Sequence, residues 1–131
     1  MKRTIIFLAV FFALSSSVFA KQIKLLAIGN SFSDDAIEHY LHGLAKAAGD
    51  EIVIGNAYIG GSSLELHYNN SVNNAPAYSF RKIIDGVKTF TESSTLELAI
   101  KNEEWDYISF QQVSQNSGMY DTYFPFLTNL I

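Results

Sequence analysis

The amino-acid sequence predicts a three-layer α/β domain built on a parallel sheet, with a small inserted β-hairpin. Three observations predict it. Apolar runs of strand length occur at Ile23–Ile28, Glu51–Ala57 and Asp106–Gln112. Segments with helical spacing separate them, and an Asp85-Gly86 dipeptide lies between two further strand-like runs. Strands that alternate with helices pair in parallel, because each crossover helix carries the chain back to the starting end of the sheet.

Ile23–Ile28 (IKLLAI) is mostly apolar and is ended by Gly29, as expected of a strand covered on both faces. Ser33 is suited to cap the helix that follows, and Asp34 and Asp35 favour its positive first turn. Ile37, Leu41, Leu44, Ala45 and Ala48 recur at helical spacing until Gly49 stops the pattern. Glu51–Ala57 (EIVIGNA) is the second strand and leads to Gly60-Gly61. Asn69–Ala77 is polar, contains Pro76 and reads as a loop. Tyr78–Ile84 and Val87–Thr91 form the hairpin, since Asp-Gly suits a type I′ turn. Ser94 caps a short helix carrying Leu96, Ala99 and Ile100, and Asp106–Gln112 is a third, buried strand. Met119–Ile131 is helical with a break near Pro125.

The first twenty residues carry Lys2 and Arg3, an apolar run from Ile5 to Leu14, and Val18-Phe19-Ala20. This is the layout of a secretory signal peptide cleaved after Ala20, and the run is too short for a membrane span. The expectation is an exported protein, periplasmic or extracellular, with one partial domain over residues 21–131 and no stable membrane insertion after cleavage. Cleavage removes two cations and deepens the net charge from −4 to −6, which gives no electrostatic reason to expect nucleic acid or anionic lipid as a partner. With no cysteine, the fold is held by its core.

Ligands in parallel α/β sheets sit beyond the carboxyl ends of the strands. Three unusual stretches fall there: Gly29-Asn30-Ser31-Phe32-Ser33, Gly60-Gly61-Ser62-Ser63 and Gln112-Val113-Ser114-Gln115-Asn116. One helix needs one cap, and Ser33 with its acids fits that role, which leaves Ser31 for chemistry. Gly60-Gly61 either supplies positive φ to a tight turn or lets a backbone N–H approach an oxyanion without interference from a Cβ. Gln112 and Gln115 are either loop amides or side-chain donors to the same oxyanion.

The blocks GNSFS, YIGGSSLELH and WDYISFQQVSQ, in this order at three strand ends, resemble the SGNH (GDSL-like) hydrolases, in particular a branch common in exported Bacteroidetes proteins. The resemblance covers Lys24 to Ile131 and implies a flavodoxin-like SGNH fold of which this chain is the N-terminal portion. It implies a serine esterase with Ser31 as nucleophile and Gly61, or Gly60 one register away, giving an oxyanion N–H. The Gly-x-Asn-Asp block that normally supplies a further donor is replaced by QQVSQN; register favours Gln115 and strand-end position favours Gln112. Asn30 stands where an aspartate is more familiar and, with Gly60 and His67, is placed beside the substrate. No metal or organic cofactor is implied, and the implied substrate is a small-molecule or carbohydrate ester, acetyl esters by analogy.

The family's late Asp-x-x-His block is absent. His39 and His42 lie about two turns into the first helix, roughly 10 Å or more from Ser31, and His67 is read as substrate-contacting or structural, with general base as the alternative. The chain ends at Thr128-Asn129-Leu130-Ile131 inside an apolar helical pattern, so a truncated chain without its base, inactive as it stands, is the expectation. Two other classes stay open: a non-catalytic carbohydrate-binding derivative of the same fold, and a flavodoxin-like phosphate binder. Against the latter stand the absence of a Gly-x-x-x-x-Gly-Lys-Ser/Thr motif and of basic residues near the loops.

Overall fold

The computed structural model describes residues 22–131; the predicted signal segment lies outside them. Five strands, β1 (Ile23–Gly29), β2 (Ile52–Tyr58), β3 (Tyr78–Ile84), β4 (Val87–Ser94) and β5 (Tyr107–Phe110), form one open sheet in the order β4-β3-β2-β1-β5. β1 pairs in parallel with β2 and β5, whereas β2 with β3 and β3 with β4 are antiparallel. The expected parallel sheet is therefore mixed. The hairpin extends the sheet as one of its edges, because its first strand runs back along β2. Its turn is as predicted, with Asp85 at φ 52° and Gly86 at φ 78°, the two positive values that a type I′ turn demands.

Strand alternation fixes which side each helix covers. In β2, Asn56 bonds upward to Ser33 and Glu38 of the first helix. Its neighbour Ala57 joins the opposite core with Leu96 and Ala99 of the fourth helix. Successive side chains of a strand point to opposite faces, so helices pack against both sides of the sheet. Register sets Phe80, Ala57, Ile28 and Phe110 side by side across four strands on the second face.

The first helix is continuous but not uniform: α1 (Ser31–Ser33), a π-helical stretch (Asp34–Leu41) and α2 (His42–Ala48), closed by Gly49. Its cap is Asn30, whose side chain accepts from the Phe32 N–H, and not Ser33. The buried positions also differ from the predicted stripe, since Leu44 and Ala48 are exposed and Glu38 is buried. In π winding the bonds run from i to i+5, which places Ser33 and Glu38, five apart, on the face against the sheet. The Glu38 carboxylate is fully enclosed and meets Asn56 Nδ2 (2.5 Å), Arg81 Nη1 (3.1 Å) and Lys88 Nζ. An enclosed acid persists only with such partners.

Three further expectations are corrected. Residues taken for the start of a loop belong to helix α3 (Leu64–Val72), capped by the Ser63 hydroxyl; a favourable cap and the burial of Leu64 and His67 outweigh its polar second half. Helix α4 (Leu96–Lys101) is capped by Thr95, one residue later than expected. The third strand, β5, is short and lies at an edge, with Tyr107 and Ile108 exposed and not buried. After it come two single 3₁₀ turns, Ser114–Asn116 and Tyr120–Thr122, and helix α5 (Phe126–Leu130). At the opposite end of the strands from these turns, Lys24 of β1 and Lys82 of β3 both hold Glu103, whose carboxyl they push down to about 2.

Candidate functional site

The three turns singled out in the sequence meet at one rim, and Asn30 joins them. Asn30 is 1 % exposed. Its Nδ2 donates to the Ser62 carbonyl (3.0 Å) in the second turn and to the Gln112 carbonyl (3.3 Å) in the third, while its Oδ1 caps the helix. Expected beside the substrate, Asn30 faces inward, with both ends of its carboxamide occupied. Gly29 makes the tight exit from β1 possible: a Cβ there would stand 2.7 Å from Ser33 Oγ and 3.0 Å from Gln111 Oε1.

Ser31 follows Asn30 as the first helical residue and is exposed. Among the described residues its hydroxyl makes no hydrogen bond, and its N–H, at the first position of a helix, has no partner either. Ser33 is enclosed instead, with its Oγ 2.7 Å from the Asn30 carbonyl and 3.1 Å from Asn56 Oδ1. Gly61 sits in the second turn at φ +66°, the left-handed region that favours glycine. Its N–H is also without a partner among the described residues. Gly60, exposed beside it, borders a cleft of about 330 Å³ with Tyr58, Tyr78, Ser79 and Glu92. A free hydroxyl and two unpaired N–H groups thus stand on adjoining turns whose intervening neighbours, Asn30 and Ser62, are bonded to each other.

The two glutamines part company. Gln112 is buried; its Oε1 accepts from the Leu64 and Val113 N–H groups, and its Nε2 donates to the carbonyl and hydroxyl oxygens of Thr122. With every site used it ties the third turn to α3, so it has no donor left for a ligand. Gln115 is exposed, and among the described residues its side chain's only bond is from the Ser114 hydroxyl to Oε1, leaving its amide donors free. Sequence position alone did not separate the two.

His67 is enclosed between α3 and Tyr78. It is fully buried in α3, stacked on Tyr78 at 5.7 Å, with Nε2 2.9 Å from Ser62 Oγ and Nδ1 3.1 Å from the Tyr78 hydroxyl. Burial pushes its imidazole down to about 4 and the Tyr78 hydroxyl up to about 12. It touches neither the hydroxyl of Ser31 nor the open rim, so of the readings weighed for it the structural one fits. His39 is exposed, and His42 is half-buried beside Gly86 at the hairpin turn. No histidine among the described residues stands at the Ser31 hydroxyl. No cluster of three His, Asp or Glu side chains able to hold a metal occurs among them, and no helix there is long and apolar enough to cross a membrane.

Sequence reasoning missed Gln111, Glu38 and Ser62. Gln111 lies beside Gly29 with its Oε1 buried and unbonded. Its side of the rim adjoins an apolar hollow of about 180 Å³ lined by Phe32, Ile37 and Phe110.

No curated protein matches the chain. A crystal structure of a DUF4886 family protein from Bacteroides uniformis ATCC 8492 is 56 % identical, with a TM-score of 0.79, over 84 % of this chain and 44 % of that one. The chain thus spans less than half the length of that relative. Residues 24–131, nearly all of the described structure and every turn of the rim, match the family described as Domain of unknown function (DUF4886), and the chain belongs to that family.

Proposed function

We propose that this chain carries the nucleophile-bearing part of an exported SGNH-type serine esterase. The observation that supports this reading best is the Asn30 carboxamide, which gathers three strand-end turns so that the free Ser31 hydroxyl and the unpaired N–H groups of Ser31 and Gly61 share one rim. In this reading Ser31 Oγ attacks an ester carbonyl. The resulting oxyanion is received by the two backbone N–H groups and the free amide of Gln115, each donor worth about 3 kcal/mol of barrier. Collapse of the tetrahedral intermediate expels the alcohol, and water then releases the acid from the acyl-serine. The base that takes the Ser31 proton is supplied from outside the described residues. No step of this chemistry calls for a metal or organic cofactor. The cleft beside Gly60 offers polar groups, Tyr58, Ser79 and Glu92, to the alcohol part of the substrate, which suits an acetyl or similar ester of a carbohydrate.

A second reading, a non-catalytic carbohydrate-binding derivative of the same fold, draws on one observation: no histidine among the described residues stands at Ser31. Imidazole in solution separates the two. With p-nitrophenyl acetate alone, the protein and Ser31→Ala are expected to differ little. With added imidazole standing in for the base, the wild-type rate is expected to exceed that of Ser31→Ala at least about tenfold after identical background correction. Equal rates in imidazole would overturn the esterase reading, and binding of an acetylated oligosaccharide would then favour the second.

A further inference from the structure

We propose that His67 is a positioning residue for the Gly61 turn, acting through a buried relay that runs from Tyr78 through His67 and Ser62 to the Gly29 carbonyl. The inference rests on the reading of Gly61 as an oxyanion donor. Its basis is a chain of three contacts among buried groups, with the three side chains 0 to 1 % exposed: Tyr78 hydroxyl to His67 Nδ1 at 3.1 Å, His67 Nε2 to Ser62 Oγ at 2.9 Å, and Ser62 Oγ to the Gly29 carbonyl at 3.2 Å.

Counting hydrogens gives the chain one direction. The Gly29 carbonyl can only accept, so the single Ser62 hydroxyl hydrogen goes to it. Ser62 Oγ must then accept from His67, which puts the imidazole hydrogen on Nε2. Nδ1, left bare, accepts from the Tyr78 hydroxyl. The opposite tautomer would turn the Ser62 hydroxyl toward His67 and leave the Ser62–Gly29 contact with no hydrogen. Burial keeps the imidazole neutral, and of the two neutral tautomers only the Nε2–H form satisfies all three contacts; a buried polar chain is favourable only when each member is satisfied.

The relay ends where the site needs rigidity. Ser62 is held at three points: its N–H donates to the Ile59 carbonyl (3.3 Å), its carbonyl accepts from Asn30 Nδ2, and its hydroxyl is fixed by His67 and Gly29. Gly61, the residue before it, has no N–H partner among the described residues, and a Cβ added to it would meet nothing within 4 Å. The order of the Gly61 turn therefore depends on how Ser62 is held, and His67 fixes the hydroxyl of that residue. Oxyanion donors act only when held in place before the charge develops.

The test uses three variants of the same chain. Ser62→Ala cuts the relay at its centre and leaves the His67–Tyr78 stack in place. His67→Leu keeps the packing volume and removes both bonds, whereas His67→Gln can still present an N–H to Ser62. Thermal unfolding of each confirms that it folds. Nuclear magnetic resonance of wild type is expected to show His67 protonated at Nε2 only. In Ser62→Ala and His67→Leu the Gly61 amide order parameter is expected to fall from about 0.85 to below about 0.6, with recovery in His67→Gln. In the imidazole-supported reaction the same two variants are expected to lose kcat roughly tenfold or more at unchanged KM, less than the 10²–10³-fold typical of losing a donor outright. An Nδ1–H tautomer, or a Gly61 amide that stays rigid in both variants, overturns the relay. Absent Ser31-dependent hydrolysis with a loosened Gly61 overturns the esterase reading and leaves the relay standing.

Discussion

The Asn30 carboxamide donates two hydrogen bonds to carbonyls of two different turns and accepts a third from the helix it caps. An aspartate cannot reproduce this, because its ionised oxygens would face the Ser62 and Gln112 carbonyls, acceptor against acceptor. Asn30→Asp is expected to lower stability by about 3 kcal/mol or more at neutral pH. The carboxyl so placed would be raised in pKa, so its destabilisation grows as pH rises and shrinks in acid, where a protonated carboxyl donates one of the two bonds. Urea titrations of variant and wild type at pH 4 and pH 7 check this, and equal midpoints at both would refute it. Ser31 was legible in the sequence because a strand followed by Gly-x-Ser places a hydroxyl at a rim whatever the tertiary context. The inward turn of Asn30 and the enclosure of Gln112 were not. Both depend on which side of a strand end the chain leaves, and the partners that decide it for Asn30 lie 32 and 82 residues away.

Among the elements, α3 joins the rim to the core, and its hinge is a neutral histidine. The His67 imidazole is held near 4, below the 6.5 of a free side chain, by burial. Between those values the unfolded chain binds a proton that the native chain refuses. Stability is therefore full above about pH 6.5 and falls as pH drops toward 4, by up to roughly 3 kcal/mol. Thermal midpoints measured from pH 7 to pH 5 are expected to fall in wild type and to run flatter in His67→Gln; parallel slopes would count against the assignment. α3 itself escaped the sequence reading because Asn69, Asn70 and Ser71 carry turn chemistry, and only the Ser63 cap with buried Leu64 announced a helix. The hairpin was legible because Asp85-Gly86 determines its own backbone. The π stretch was not, since a helical period of apolar residues gives no warning that the glutamate between them will be the one enclosed by Arg81 and Lys88.

The sheet as assembled is asymmetric. One edge is the β3–β4 hairpin and the other is β5, four residues long, with Tyr107 62 % and Ile108 43 % exposed. Apolar side chains on an unpaired edge invite association, so the isolated chain is expected to bind a hydrophobic dye and to scatter light increasingly with concentration. Ile108→Lys should reduce both; an unchanged, monomeric dye-silent protein would contradict this. The α/β class and the sequence of strands were readable from apolar runs and punctuation, but not the direction of β3, because a run of apolar residues carries no sign. A last consequence follows from the span of the ties through Asn30 and Gln112, which close loops of 32, 48 and 82 residues. Closing such loops costs entropy before any bond repays it, so the rim is among the last parts to set as the chain folds. Substitutions at these two positions are expected to leave the refolding rate nearly constant and to act almost wholly by hastening unfolding.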